Sequence, residues 1–121
     1  MIRIDLARDA VRPGEALQGE IRWEGDAVPG AATLSLFWNT EGFGTVDVEI
    51  VAREEVSLGS RSGGLPFRFT LPASPWSFSG RLVSLLWGVE LAGPGLAEPL
   101  RRRFTLGPDG RPIDLTGPPA S

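Results

Sequence analysis

The 121-residue chain contains no cysteine, no histidine, no tyrosine and no lysine. Without cysteine there is no disulfide, no thiol nucleophile and no thiolate metal site. Without histidine there is no imidazole base or ligand, and no side chain whose ordinary pKa lies near neutrality. Without lysine, all 12 basic residues are arginine, and Schiff-base or P-loop lysine chemistry has no candidate. Long apolar runs are missing as well: none approaches the ~18 residues of a spanning helix, so no membrane span is expected. The opening MIRIDLARDA carries charge at every second or third position, which leaves no room for the apolar core of a signal peptide. Carboxylates and hydroxyls without a base are what remain for catalysis. The expectation is therefore a cytoplasmic protein that is not an enzyme, with no cofactor, no metal and no catalytic residues.

What is present is the composition of one ordinary globular domain, with 41% hydrophobic and 22% charged residues. The net charge of -3 has the wrong sign for a general nucleic-acid binder, so no nucleic acid is expected as a partner. The 16 glycines and 11 prolines punctuate the chain at short intervals, and between them apolar residues alternate with polar ones instead of recurring at helical spacing.

Ile2, Ile4 and Leu6 share one face of a first run, which Arg12-Pro13-Gly14-Glu15 ends with a turn. Leu17, Ile21 and Trp23 form the inward face of a second. Ala32, Leu34, Leu36 and Trp38 lie opposite Thr33, Ser35 and Phe37 in a third. In the fourth, Thr45 to Ala52, Val46, Val48 and Ile50 face one way and Asp47 and Glu49 the other. Val56 and Leu58 mark a short fifth strand, and Leu65, Phe67, Phe69 and Leu71 a sixth. Arg81 to Leu91 reads as the longest and most central strand, and Leu100, Phe104 and Leu106 as the last. The pattern predicts an all-β fold, a two-sheet antiparallel β-sandwich of 7-8 strands of immunoglobulin-like or arrestin-like type, with a closed barrel as the structural alternative. The domain spans residues 1–107. The Pro- and Gly-rich segment 108–121 is expected to be a disordered C-terminal tail.

Three patterns carry a resemblance. They are Val11-Arg12-Pro13-Gly14-Glu15-Ala16-Leu17-Gln18-Gly19, Leu65-Pro66-Phe67-Arg68-Phe69-Thr70-Leu71-Pro72, and Pro75-Trp76-Ser77-Phe78-Ser79-Gly80 followed by the strand Arg81 to Leu91. In this order and spacing they resemble the arrestin-like fold family, as a single N-terminal-type sandwich of the bacterial sporulation-control and arrestin-related kind. The resemblance implies an arrestin-like β-sandwich and a protein-interaction or scaffolding role. Arrestins and their relatives use two such sandwiches in tandem, whereas this chain holds one, so a homodimer is expected to stand in for the tandem pair.

Arg101-Arg102-Arg103 is the one run of like charge. In a strand, Arg101 and Arg103 share a face while Arg102 points with Leu100 and Phe104. The pair suits an anion or an acidic partner, or else blunts a sheet edge. Trp76 and Phe78, in a Pro/Ser loop, are either partner anchors or caps on the core. Trp23, Trp38 and Trp87 fall at core parity. Glu41 and Asp47 flank a Gly-rich connection that reads as a hairpin loop before it reads as a Ca²⁺ or paired-acid site. The functional expectation is a non-catalytic module that binds a protein partner through Arg101, Arg103, Trp76 or Phe78. A small-ligand or carbohydrate-binding sandwich using exposed aromatics is the alternative.

Overall fold

The computed structural model describes residues 2–24, 30–42, 47–58, 63–79, 83–94, 96, 98–107 and 113–114. Among them ten strands form two sheets: β1 (Ile2–Leu6), β2 (Ala10–Val11), β3 (Ala16–Trp23), β4 (Ala31–Gly42), β5 (Val48–Ser57), β6 (Gly63–Thr70), β7 (Phe78–Ser79), β8 (Val83–Ala92), β9 (Leu100–Leu106) and β10 (Ile113–Asp114). The small sheet has the order β1-β3-β6. The large sheet runs β10-β7-β8-β4-β5, with β9 joined to both β8 and β2. The expected β-sandwich is the fold. Its seven strands of five or more residues match the predicted number, and β2, β7 and β10 are two-residue additions that alternation over four residues or more does not reveal.

The Pro-Gly turn forms as the residue types demand. Gly14 has φ +81°, open to glycine and strained for other residues, and the Glu15 amide donates to the Arg12 carbonyl at 3.1 Å. The Glu15 carboxylate also accepts from the Arg12 amide at 2.8 Å. The turn lets the chain leave β2, in the large sheet, and enter β3, in the small one. β2 pairs in parallel with Thr105–Leu106 of β9, and the Thr105 and Gly107 amides donate to Asp9 and Val11, so this side of the sandwich is stitched shut. β5 and β6 lie at the outer ends of their sheets.

The core lies between the sheets. Ile4, Leu17, Ile21, Phe67 and Phe69 come from the small sheet, and Leu34, Leu36, Leu85, Trp87, Val89, Leu91 and Phe104 from the large one. Trp87 is fully buried, its ring 5.9 Å from that of Phe104, and its indole N–H donates to the Pro75 carbonyl at 2.9 Å. A buried indole thus keeps its hydrogen bond while contributing its large apolar area. β8 is central, between β4 on one side and β7 and β9 on the other, as the periodicity predicts, although the longest strand is β4 with 12 residues.

The fourth and fifth predicted strands are one strand, β5, and its apolar parity is inverted. Val48 and Ile50 are 60% and 39% exposed. The register shifts between Leu36 and Phe37, so that Ala52 opposes Leu36 but Ile50 opposes Phe37, leaving Val51 as the extra residue of a bulge. One inserted residue turns Val48 and Ile50 to the outer face of the sheet. Val46 lies outside the described residues. Within the predicted tail, Ile113–Asp114 pairs in parallel with Phe78–Ser79.

Candidate interaction surface

The outer face of the large sheet is built by four strands in the order β5-β4-β8-β9. Antiparallel partners share a face, so the registers define rows across it. Ile50, Phe37, Gly88 and Arg103 form one row, Arg53, Ser35, Glu90 and Arg101 the next, and Val48, Asn39 and Leu86 a third.

At the centre stands Phe37, a large apolar side chain on the face turned away from the core, yet only 2% exposed. Two features bury it. Gly88 lies directly opposite with no side chain, and a Cβ there would come within 3.0 Å of the Phe37 ring, so glycine makes room for the ring to lie down. Above it, the guanidinium carbons of Arg101 and Arg103 both sit 5.4 Å from the ring centroid, within cation–π range.

The arginines are held by polar partners as well. Arg101 Nε donates to Glu90 at 3.0 Å. Arg103 Nη1 donates to Asn39 Oδ1 at 2.6 Å, and its Nη2 lies 3.6 Å from Glu41. Planar guanidinium groups can stack on a ring and keep their in-plane donors for oxygen acceptors at the same time, which lysine could not do. Arg102, on the opposite face of β9 beside Val89, is exposed.

Beside this covered ring the apolar surface is open. Among the described residues the exposed large hydrophobic side chains are Val48, Ile50, Val51 and Trp76, three of them within four positions of β5. Val48 and Ile50 continue the Phe37 and Leu86 strip to the sheet edge, and Arg53 and Glu55 follow on the same face, Glu55 accepting from the Thr33 hydroxyl at 3.0 Å. The result is an apolar strip with arginines along one border and mixed charge along the other, the make-up of an interface centre and its polar rim.

Trp76 and Phe78 are placed apart from this strip, at the start of β7. Trp76 is 37% exposed and its indole donates to the Ala73 carbonyl at 2.7 Å. Phe78 is half-buried against the core. Between them Ser77 is buried: its amide donates to the Leu106 carbonyl at 2.7 Å, and its hydroxyl accepts from the Leu106 amide at 3.0 Å. Among the described residues no hydrogen bond, ion pair or ring contact joins Trp76 or Phe78 to Arg101 or Arg103. Trp23 and Trp87 are buried and Trp38 is half-buried.

Other polar groupings are smaller. Asp47 closes a hairpin, exchanging its amide and carbonyl with Thr40 at 3.0 and 2.9 Å, while Glu41 faces Arg103; residues 43–46 of that connection lie outside the described residues. No group of three or more potential ligands for a metal ion occurs among the described residues. A cleft of about 390 Å³ at the end of the small sheet is lined by Arg3, Arg22, Glu20 and Trp23 among others, but Arg3 is bonded to Asp5 and Arg22 to Glu20, each near 3 Å. No helix in the described residues is long and apolar enough to cross a membrane.

Sequence reasoning singled out Arg101 and Arg103 but passed over Phe37, Val48 and Ile50. The available signal was Phe37 itself, a ring at outward parity opposite a strand glycine.

No family model and no curated protein matches the sequence. Solved structures do resemble the fold. Spo0M, a sporulation control protein from Bacillus subtilis, superposes with a TM-score of 0.61 at 20% identity, covering 88% of this chain and 49% of that one. The chain thus spans about half the length of Spo0M. A β-glucosidase from Listeria innocua gives a TM-score of 0.47 at 15% identity over 93% of this chain and 16% of that one. The alkylpurine DNA glycosylase AlkC from Pseudomonas fluorescens gives 0.41 at 13% identity, over 88% and 30%. The likeness to Spo0M concerns the β-sandwich, and the two weaker superpositions carry no weight for function.

Proposed function

We propose that the chain is a non-catalytic protein-interaction or scaffolding module on an arrestin-like β-sandwich, working in the cytoplasm and docking a protein partner on the outer face of its large sheet. The observation that carries this reading is the open Val48–Ile50 strip beside the arginine-covered Phe37. Exposed aliphatic side chains next to well-oriented guanidinium groups offer apolar burial and directional hydrogen bonds together. Arg101 and Arg103 are the polar contacts of that face, and Trp76 with Phe78 forms a second contact region at the start of β7. The fold of a sporulation control protein fits a regulatory role of this kind. A carbohydrate platform would draw on several exposed rings; of the four tryptophans only Trp76 is exposed.

The test is affinity capture from native lysate with three baits: wild type, Arg101→Glu/Arg103→Glu, and Val48→Asp/Ile50→Asp, the last altering exposed side chains only. A defined protein retained by wild type and lost from both folded variants supports the reading. Identical captures by all three overturn it.

A further inference from the structure

Edge strands are where a sheet still has backbone hydrogen bonds to make, and most edges of this sandwich are blunted. β5 carries the bulge at Val51, which interrupts its row of free groups. β2 and β10 are two residues long. In β6 the register turns the wrong residue outward for strand addition. The Leu71 amide donates to the Glu15 carbonyl, so alternation directs the backbone of Phe69, Phe67 and Leu65 toward β3 and that of Pro66 away from it, where proline has no N–H to offer.

β1 has neither device. The Ala7 amide donates to the Gln18 carbonyl at 2.9 Å, so by the same alternation Arg3 and Asp5 bond to β3, while the amides and carbonyls of Ile2, Ile4 and Leu6 point away from the sheet. No hydrogen bond among the described residues takes these groups up.

The side chains of this edge are complementary to themselves. Ile2, Ile4 and Leu6 lie on the core face, with Ile2 and Leu6 only half-buried. Arg3 and Asp5 lie on the outer face, their side chains 55% and 48% exposed. Reversed, the order Ile-Arg-Ile-Asp-Leu becomes Leu-Asp-Ile-Arg-Ile, so that apolar meets apolar and arginine meets aspartate. Within one copy like charges stand opposite each other: Arg3 opposes Arg22 and Asp5 opposes Glu20, and each arginine takes its carboxylate from its own strand. A favourable cross-strand neighbour for Arg3 and Asp5 can come only from the open side.

We propose that β1 pairs antiparallel with β1 of a second copy, about a two-fold axis normal to the small sheet at Ile4. Ile4 then opposes Ile4 of the partner subunit, Arg3 opposes Asp5 of the partner subunit, and Ile2 opposes Leu6 of the partner subunit, with the symmetric contacts alongside. Backbone and charge select the same register. The outward residues Ile2, Ile4 and Leu6 become the hydrogen-bonded pairs, each exchanging both bonds. Moving the axis one residue either way keeps that hydrogen-bond phase but sets Arg3 against Arg3 or Asp5 against Asp5. The small sheet of one copy continues into that of the other, and the outer faces of both large sheets stay open on one side of the dimer. The inference goes beyond the protein-interaction reading above and does not depend on it. Five paired residues, roughly 17 Å of edge, make a small contact, so the dimer is weak and its affinity falls with added salt.

Sedimentation of the full chain between about 5 and 300 µM tests the proposal, a range that spans the micromolar affinities expected of a small interface. Wild type should pass from monomer to dimer and stop there. Arg3→Asp and Asp5→Arg, both at exposed side chains, should each weaken self-association roughly 10-fold or more. An equimolar mixture of the two should recover the dimer, because the acids of one copy then face the bases of the other. The double variant Arg3→Asp/Asp5→Arg restores complementarity within one chain and should dimerise as wild type does. Ile2→Pro, at the first position of the strand, removes an outward amide and should weaken the dimer roughly 10-fold. If Ile2→Pro fails to fold, the charge variants decide the matter alone. A monomer throughout overturns the proposal, and a dimer unaffected by the charge variants overturns it by placing the contact elsewhere. Charge variants that stay monomeric when mixed overturn it by removing the pairing of Arg3 with Asp5, and growth beyond two copies overturns the closed two-fold arrangement.

Discussion

Replacing Phe37 by alanine measures how far two arginines can turn the outside of a sheet into interior. The ring is 2% exposed although it points away from the core. The substitution removes roughly 120 Å² of buried apolar surface, which at ~25 cal/mol/Å² is about 3 kcal/mol. Unlike a cavity in the middle of the core, the space left here opens to water and can be refilled, so no large cavity contribution adds to the transfer cost. The two cation–π contacts contribute less than the transfer, about 0.5–1 kcal/mol each. Urea unfolding of Phe37→Ala should therefore show a loss of about 3 kcal/mol at unchanged slope, against ~1 kcal/mol for Phe37→Leu, which keeps most of the volume. A double-mutant cycle of Phe37→Ala with Arg101→Ala should give a coupling of about 0.5–1 kcal/mol. A loss below ~1 kcal/mol for the alanine variant, or zero coupling, would refute the claim that the arginines bury this ring.

Two further substitutions test the frame that positions the face. Ser77→Ala removes the acceptor for the buried Leu106 amide and should cost about 1–3 kcal/mol; an unchanged urea midpoint would show that the link between the β7 start and β9 is not structural. Gly19→Ala puts a Cβ 2.5 Å from the Asp5 carbonyl oxygen and 2.6 Å from the Phe67 ring, a backbone clash that should lower stability by about 1–3 kcal/mol or more, with the melting temperature as the readout. Wild-type stability in that variant would mean β1 and β3 are less tightly paired than described.

The parts of the fold legible in the sequence are those governed by a single local rule. The Arg12-Pro13-Gly14-Glu15 turn follows from one residue with fixed φ beside one free to take φ +81°. β8 and β6 follow from uninterrupted alternation, and Val89 and Leu91 are fully buried as their parity requires. β5 escaped because its residues alternate well on their own, while the bulge that reverses their faces arises from pairing with β4 and has no local signature. The Arg101 and Arg103 pair stood out as a charge run, but its relation to Phe37 joins residues more than 60 positions apart and depends on the order β4-β8-β9. The parallel pairing of β2 with β9 was hidden for the same reason, since two residues offer no period to recognise.

Side-chain oxidative footprinting tests most directly whether the outer face of the large sheet is the interaction surface. The chain would be labelled alone and again in complex with the protein partner recovered by affinity capture. Val48 and Ile50 should lose reactivity in the complex, while side chains on the outer face of the small sheet keep theirs. Undiminished reactivity at Val48 and Ile50, with protection falling on Trp76 or on the small sheet, would contradict the account.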